Sequence, residues 1–316
     1  MDLAIGIDVG GTSIKSGAFS TAGELLAEKT VRMKGLDNDA AYATIVDALR
    51  EIVADAAGDD GKVLAIGLDI PGPVDEDGKV GFMPNATMDL EGFKAALLTA
   101  FPDAKLAVVN DANAAAMGEL WQGSAAGERS FVMVTLGTGV GGGVVADGNL
   151  VAGKHGAGGE IGHITVNLDE ERKCGCGRKG CLEQYASATG IVRMYREECE
   201  RQGVEPVELE HDTDTFTLFR HLEQGNEQAK VAISKMCDYL GLGLSQISCV
   251  TNPGVFVIGG GVSAGIDLFR DELQECYRKY ALPLCADTPF VSATLANRAG
   301  IYGSAYEALR VAGLAE

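Results

Sequence analysis

Twice along this chain a buried strand runs into a glycine-rich turn and comes back as a second strand, and that repetition narrows the available folds more than any other feature. Leu3 to Ile7 is an apolar strand ending in Asp8-Val-Gly10-Gly11-Thr12. About Ile14 to Phe19 alternates as its partner, and Thr21-Ala-Gly23 turns the chain into a third strand. From Phe131 the pattern recurs, with a strand to Thr135, a turn running from Gly137-Thr138-Gly139 to Gly143, a strand at 144–146 and a tight Asp147-Gly148 turn. Two lobes built alike, each offering its glycine-rich turn to a shared cleft, account for the echo. The length of 316 residues agrees, being long for one hydrophobic core. The expected division is 1–111 plus 298–316 for the first lobe and 112–297 for the second. Helices are expected at about 38–57, 183–203, 226–251, 264–278 and 299–311, and further strands at 63–70, 106–109 and 255–258.

Charge removes whole classes of partner. With 26 Lys and Arg against 45 Asp and Glu, the net charge of −19 repels nucleic acid and anionic lipid. Met1-Asp2 offers no basic stretch before an apolar run, so no secretory signal is expected. The apolar stretch from Val231 to Val250 carries Lys235 and Asp238, which fits a buried helix better than a membrane span. A soluble, cytoplasmic protein is the expectation. In that reducing compartment eight cysteines are not a disulfide framework. Cys199, Cys237, Cys249, Cys276 and Cys285 are scattered and suit packing, whereas the other three are clustered.

Three strand ends are rich in glycine. Asp8-x-Gly10-Gly11-Thr12 sets an acid beside backbone N–H groups that can face an anion; Gly137 to Gly143 has five glycines in seven residues; and Ile258-Gly259-Gly260-Gly261-Val262-Ser263 leads into a helix. None carries the Gly-Lys-Ser/Thr ending of a P-loop, and Gly139-x-Gly141 does not open a helix as a dinucleotide fingerprint does. Each alone is also an ordinary tight turn. Together they favour a cleft that grips a phosphorylated ligand such as ATP through the backbone. So acidic a chain would need a divalent cation, Mg²⁺, to screen the phosphates, and Asp8 is the candidate to orient it. Asp111 follows Asn110 at the end of a strand. It suits a base that accepts a hydroxyl proton, with the cap of the helix that begins there as the alternative.

A soft ligand set fills nineteen residues, His163 and then Cys174-Gly-Cys176-Gly-Arg-Lys-Gly-Cys181. Four protein ligands close a tetrahedral site and leave no position for an activated water, so the zinc is expected to be structural. Glu160 and Glu183 flank the cluster. With His163 they suit sugar hydroxyls, which both donate and accept, and Asn85 after Pro84 adds one donor and one acceptor.

This linked set resembles the ROK family of bacterial sugar kinases and repressors, most closely its zinc-containing glucokinases, over essentially the whole chain. Asp8-x-Gly-Gly-Thr12 resembles the family's first phosphate motif, Gly137 to Gly143 its second, Ile258 to Ser263 its adenosine motif, and CGCGRKGCLE from Cys174 to Glu183 its zinc signature. The resemblance implies an α/β actin-like ATPase fold of two ribonuclease-H-like lobes with a central cleft. It also implies ATP-dependent phosphorylation of D-glucose at the 6-hydroxyl, with Asp111 as the catalytic base. Asn85, Asp111, Glu160, His163 and Glu183 would hold the sugar, and Asn110 is counted with them. Asp8, Gly10, Gly11, Thr12, Gly137, Thr138, Gly139, Gly259, Gly260 and Gly261 would face ATP and its Mg²⁺. His163, Cys174, Cys176 and Cys181 would bind zinc, and the protein would be a homodimer. One alternative, a kinase for mannose, fructose, N-acetylglucosamine or N-acetylmannosamine, shares nearly all these residues; another, from a different class, is a sugar-sensing repressor. The repressor needs an N-terminal DNA-binding domain, yet Asp8 arrives eight residues into this acidic chain.

Overall fold

The computed structural model describes residues 1–33, 35–81 and 88–315, which form two compact units. The first comprises Met1–Gly127, Leu150–Gly158 and Thr294–Glu316; the second comprises Glu128–Asn149 and Gly159–Ala293. The boundary therefore falls after Gly127 and at Thr294, where the sequence suggested a division after Asp111 and before Arg298. The reason lies in how the helix that follows Asp111 packs.

Unit 1 carries β1 (Asp2–Val9), β2 (Ser13–Ser20), β3 (Leu25–Arg32), α1 (Asp39–Ala57), β4 (Lys62–Ile70), α2 (Leu90–Ala100), β5 (Lys105–Asn110) and α3 (Asp111–Gln122). The sheet order is β3-β2-β1-β4-β5, with an antiparallel β1-β2-β3 meander and β4 and β5 parallel to β1. On one face Ile5, Ile7, Ile66, Leu68 and Ile70 pack beneath α1 and α2. Helix α1 buries Ile45, Val46, Leu49 and Ile52 at helical spacing, and the Asn38 side chain caps it by accepting from the N–H of Ala41 at 3.0 Å.

The opposite face is made of small residues. Ala4, Gly6 and Asp8 of β1 lie there beside Ala65, Gly67 and Asp69 of β4 in direct register. Helix α9 (Ala299–Val311) lies against this stripe with its backbone almost on the sheet. A Cβ added to Gly6 would fall 1.8 Å from the carbonyl oxygen of Ile301, and one added to Gly67 would fall 1.8 Å from that of Ser304. Helix α3 meets α9 the same way, since a Cβ on Gly303 would fall 1.7 Å from the carbonyl oxygen of Ala114. That contact makes α3 part of unit 1. The fully buried Glu119 near the end of α3 secures it further. Its carboxylate accepts from the N–H groups of Ser124, Thr294 and Leu295 and from the hydroxyls of Ser124 and Thr294.

Unit 2 carries β6 (Phe131–Leu136), β7 (Val140–Ala146), β8 (Asn149–Leu150), α4 (Glu183–Ala186), α5 (Ala188–Gln202), α6 (Thr215–Glu223), α7 (Glu227–Thr251), β9 (Val255–Gly259), α8 (Arg270–Tyr280) and β10 (Phe290–Ser292). Its sheet order, β8-β7-β6-β9-β10, matches that of unit 1 strand for strand, with β6-β7 antiparallel and β9 and β10 parallel to β6. The repeated hairpin is thus a repeated sheet. Val132, Val134, Phe256 and Ile258 pack with Ile191, Met194, Tyr195, Leu240 and Leu244 from α5 and α7. The single helix expected over 183–203 is broken at Ser187, whose hydroxyl caps α5 by accepting from the N–H of Gly190. The helix expected over 264–278 is a 3₁₀ segment, Gly261–Leu268, followed by α8. Among the described residues no helix is long and apolar enough to cross a membrane.

Candidate active site and metal centre

In unit 1 the parallel strands β1, β4 and β5 all end on one edge. Register pairs Asp8 with Asp69, and Ile70 with Asn110, so residues far apart in sequence meet there. Asn110 is the N-cap of α3. Its side-chain Oδ1 accepts from the N–H groups of Ala112 and Asn113, and its side-chain Nδ2 donates to the carbonyl of Gly72 and to Asp111 Oδ1. Both ends of that amide are therefore occupied. Asn110 thereby holds Asp111 in place. The cap is Asn110 and not Asp111, which answers the alternative left open by the sequence.

Asp111 keeps one carboxylate oxygen, Oδ2, clear of these bonds, while Oδ1 also accepts from the N–H of Ala112 at 2.8 Å. The residue is exposed, yet enough protein surrounds its carboxyl that desolvation is the largest influence on it. Desolvation and the charge of Asp8 raise its pKa above the ordinary carboxylate value, against the hydrogen bonds from Ala112 and Asn110. A base so tuned is poised for proton transfer nearer neutral pH. Lys15 Nζ lies 3.4 Å from Asp8 Oδ2 and donates to the carbonyl of Asn297 at 3.2 Å. In the first turn Gly10, Gly11 and Thr12 are exposed, and the N–H of Gly10 donates to the carbonyl of Ser13. No atom lies within 4 Å of where a Cβ on Gly11 would stand, so the approach to this backbone is open.

Sequence reasoning missed Asp69. It is only 2% exposed, and its Oδ1 has no hydrogen-bond partner. Burial, and then the charges of Asp8 and Asp111, push its pKa well above the usual carboxylate range, with Lys15 opposing. The available signal was one acid in the otherwise apolar run Val63 to Ile70. Asn85 falls within 82–87, outside the described residues.

In unit 2 the β6-β7 turn and the β9 turn line one cavity of about 460 Å³, with Gly137, Thr138, Gly261 and Val262 on one side. Ala188, Glu210, His211 and residues Thr213 to Thr217 complete the lining, most of them from a segment to which the sequence had drawn no attention; Phe216 is 74% exposed there. Gly260 holds the third turn at φ +82°, where a Cβ would also collide with the carbonyl of Leu136 at 2.4 Å. Gly259 ends the buried strand β9. Gly139 passes so close to Glu183 that a Cβ would fall 2.5 Å from its Oε2, and the same oxygen accepts from the N–H of Val140 at 3.1 Å.

The ligand atoms of His163, Cys174, Cys176 and Cys181 all lie within 4.8 Å of one another. Cys176 Sγ and Cys181 Sγ are 3.7 Å apart, and Cys174 Sγ is 3.8 Å from His163 Nδ1. Zinc with Zn–S near 2.3 Å spaces tetrahedral ligands roughly 3.8 Å apart, so the donor set fits the ion in both chemistry and size. Burial pushes the Cys174 thiol up to about 12 and raises that of Cys181, so binding as thiolates must release protons. His163 Nε2 points the other way, 3.9 Å from Glu160 Oε2. Glu183 Oε1 accepts from the Cys174 thiol at 3.5 Å, which ties the metal centre to the second glycine-rich turn.

Two α/β units of one strand order, each with its glycine-rich first turn, define an actin-like ATPase fold, here with a metal-binding thiol cluster in the second unit. A ROK family model matches residues 4–311, and the chain belongs to that family. It is 36% identical to a glucokinase of Halalkalibacterium halodurans over 96% of this chain and 93% of that one. Among solved structures it is similar to the ROK hexokinase of Thermus thermophilus, at TM-score 0.81 and 32% identity over 98% of this chain and 99% of that one. It is also similar to a ROK family glucokinase of Streptomyces griseus in complex with glucose and AMPPNP, at TM-score 0.72 and 30% identity over 98% and 99%.

Proposed function

We propose that this protein is a glucokinase, transferring the γ-phosphoryl group of ATP to the 6-hydroxyl of D-glucose. The observation that carries the reading is Asp111, a carboxylate held by Asn110, excused from capping its own helix and raised in pKa, in a chain similar to a glucokinase solved with glucose and AMPPNP. Asp111 accepts the proton of the 6-hydroxyl as the O6–Pγ bond forms and the bond from Pγ to the ADP oxygen breaks. Such a loose transfer asks the base chiefly for position. Gly11 and Thr12 in unit 1 and Thr138 and Gly139 in unit 2 offer backbone N–H groups to the phosphates, while Gly10 and Gly137, whose N–H groups close the turns, keep the approach free of side chains. The 460 Å³ cavity beside Gly259, Gly260 and Gly261 is assigned to the nucleoside. Asp8 faces the magnesium ion, which when bound screens phosphate charge.

Glu160, His163 and Glu183, with Asn85, are assigned to the sugar. Zinc supports this assignment for Glu183. A zinc-bound Cys174 is a thiolate and no longer donates, so Oε1 of Glu183 is released for a sugar hydroxyl while Oε2 stays on Val140. The zinc centre is then a specificity element that aims carboxylates and an imidazole, not a site of reaction. The reading includes a cytoplasmic location and a homodimer, and the net charge of −19 supports the absence of nucleic acid from its partners.

The test is ADP release with glucose, mannose, fructose, N-acetylglucosamine and N-acetylmannosamine. Glucose is expected to give the highest kcat/KM; turnover of an N-acylated sugar in its place would reassign the substrate. Sedimentation of the zinc-loaded protein checks the dimer.

A further inference from the structure

The edge of unit 1 holds a group that the proposed chemistry does not use. Asp69 sits in register with Asp8 on the adjacent parallel strand, and both side chains project to the α9 face. Both meet Gly300 in the first turn of α9. A Cβ there would fall 2.2 Å from Asp69 Oδ2 and 3.4 Å from Asp8 Cγ, so the two carboxyls share one narrow space. Asp111, next to Asn110 on the neighbouring strand end, is close enough that its charge acts on Asp69.

A buried polar atom without a partner costs on the order of 1–3 kcal/mol, more when charged, and asks for an explanation. Asp69 Oδ1 is such an atom. Among the described residues, the cation that acts on Asp69 is Lys15, and it is engaged with Asp8 and with the carbonyl of Asn297. Burial and the neighbouring acids make Asp69 hold its proton more readily than an ordinary carboxyl, and a cation that displaces that proton gives Oδ1 the partner it lacks. The seat is all oxygen, which selects a hard ion over the soft ions that thiolates take.

We propose that Asp69 is the third and deepest carboxylate, with Asp8 and Asp111, of a single seat for a hydrated divalent cation such as Mg²⁺ or Mn²⁺, and that it positions the ion from beneath. This deepens the kinase reading and rests on it only for the identity of the ion used in phosphoryl transfer. Asp69 holds the cation directly or through one of the waters such ions retain, and it fixes where Asp8 must stand.

The experiment is titration of the zinc-loaded full chain with Mn²⁺ alone, without sugar or nucleotide, at one fixed pH, reading free Mn²⁺ by electron paramagnetic resonance. Wild type is expected to bind one ion tightly enough to resolve, displaced by Mg²⁺. Asp69→Asn is expected to weaken it at least tenfold. Asp69→Ala serves as a second variant, and circular dichroism and zinc content verify both folds. Mn²⁺ binding by folded Asp69→Asn and Asp69→Ala equal to wild type would overturn the proposal, as would a wild type that binds no Mn²⁺ at this site. Glucose phosphorylation is scored separately, so failure of the kinase reading leaves the titration intact and the two outcomes are distinguishable.

Discussion

The carboxylate edge of unit 1 and the metal centre of unit 2 are assembled in opposite ways. His163, Cys174, Cys176 and Cys181 are brought together by a few local turns within nineteen residues. Asp8, Asp69 and Asp111 span more than a hundred residues of sequence and meet only because three parallel strands end in register. A locally built centre depends on its ion; an edge built by register depends on the sheet and on whatever presses against it. The electrostatics differ in the same sense. Burial and mutual repulsion raise the pKa values of Asp69 and Asp111, whereas Glu198 on α5, only 1% exposed in its side chain, is lowered to about 2 by Arg201, Gln202 and Lys235.

The largest expected effect tests the division of labour between the two regions. Asp111→Ala should lower kcat by about 10³–10⁴-fold while the calorimetric Kd for glucose changes by less than about tenfold, within the range of general-base contributions. Near-normal turnover would leave the register-built edge without chemistry. Next comes Cys181→Ala, which removes a fully buried ligand. It should release zinc, measured by emission spectroscopy, and cost roughly 4 kcal/mol of stability, a fall in Tm on the order of 10 °C. Unchanged melting would show that the cluster is not what holds its loops.

Gly67→Ala probes the other mode of assembly. The added methyl meets the Ser304 backbone, and a loss of about 3 kcal/mol is expected in urea unfolding, with zinc content unchanged. Loss of zinc in this variant would erase the contrast. The smallest effect is that of Glu198→Gln. The folded-state pKa of Glu198 is depressed, so the stability it contributes is present above its ordinary value of 4.5 and is lost as pH falls towards about 2. Thermal melts of variant and wild type should differ most near neutral pH and converge in acid; a gap that widens in acid would reverse the sign.

What could be read in advance follows the same division. The thiol cluster, the three glycine-rich turns, α1, α7 and α9 were visible because spacing within one segment specifies them. Asp69 was not, since a single acid before Pro71 looks like the polar end of a strand until register sets it beside Asp8. Asn110 and Asp111 were seen as a pair, but only the bonds of the Asn110 amide show which is the cap and which is left for chemistry. Helices α2 and α6 and strand β10 passed unnoticed. Each is short, and β10 has three residues, paired to β9 across a long interval of sequence.

Glu119 carries a consequence for the order of synthesis. Its bonds to Thr294 and Leu295 join points 175 and 176 residues apart, and α9 fills the glycine stripe only once the last residues have emerged. A ribosome adding 5–20 residues per second takes roughly 10–35 s to cover that interval. During that time every residue of unit 2 is made while the sheet of unit 1 waits with Gly6 and Gly67 uncovered. The first half of the chain to be born is therefore the last to close.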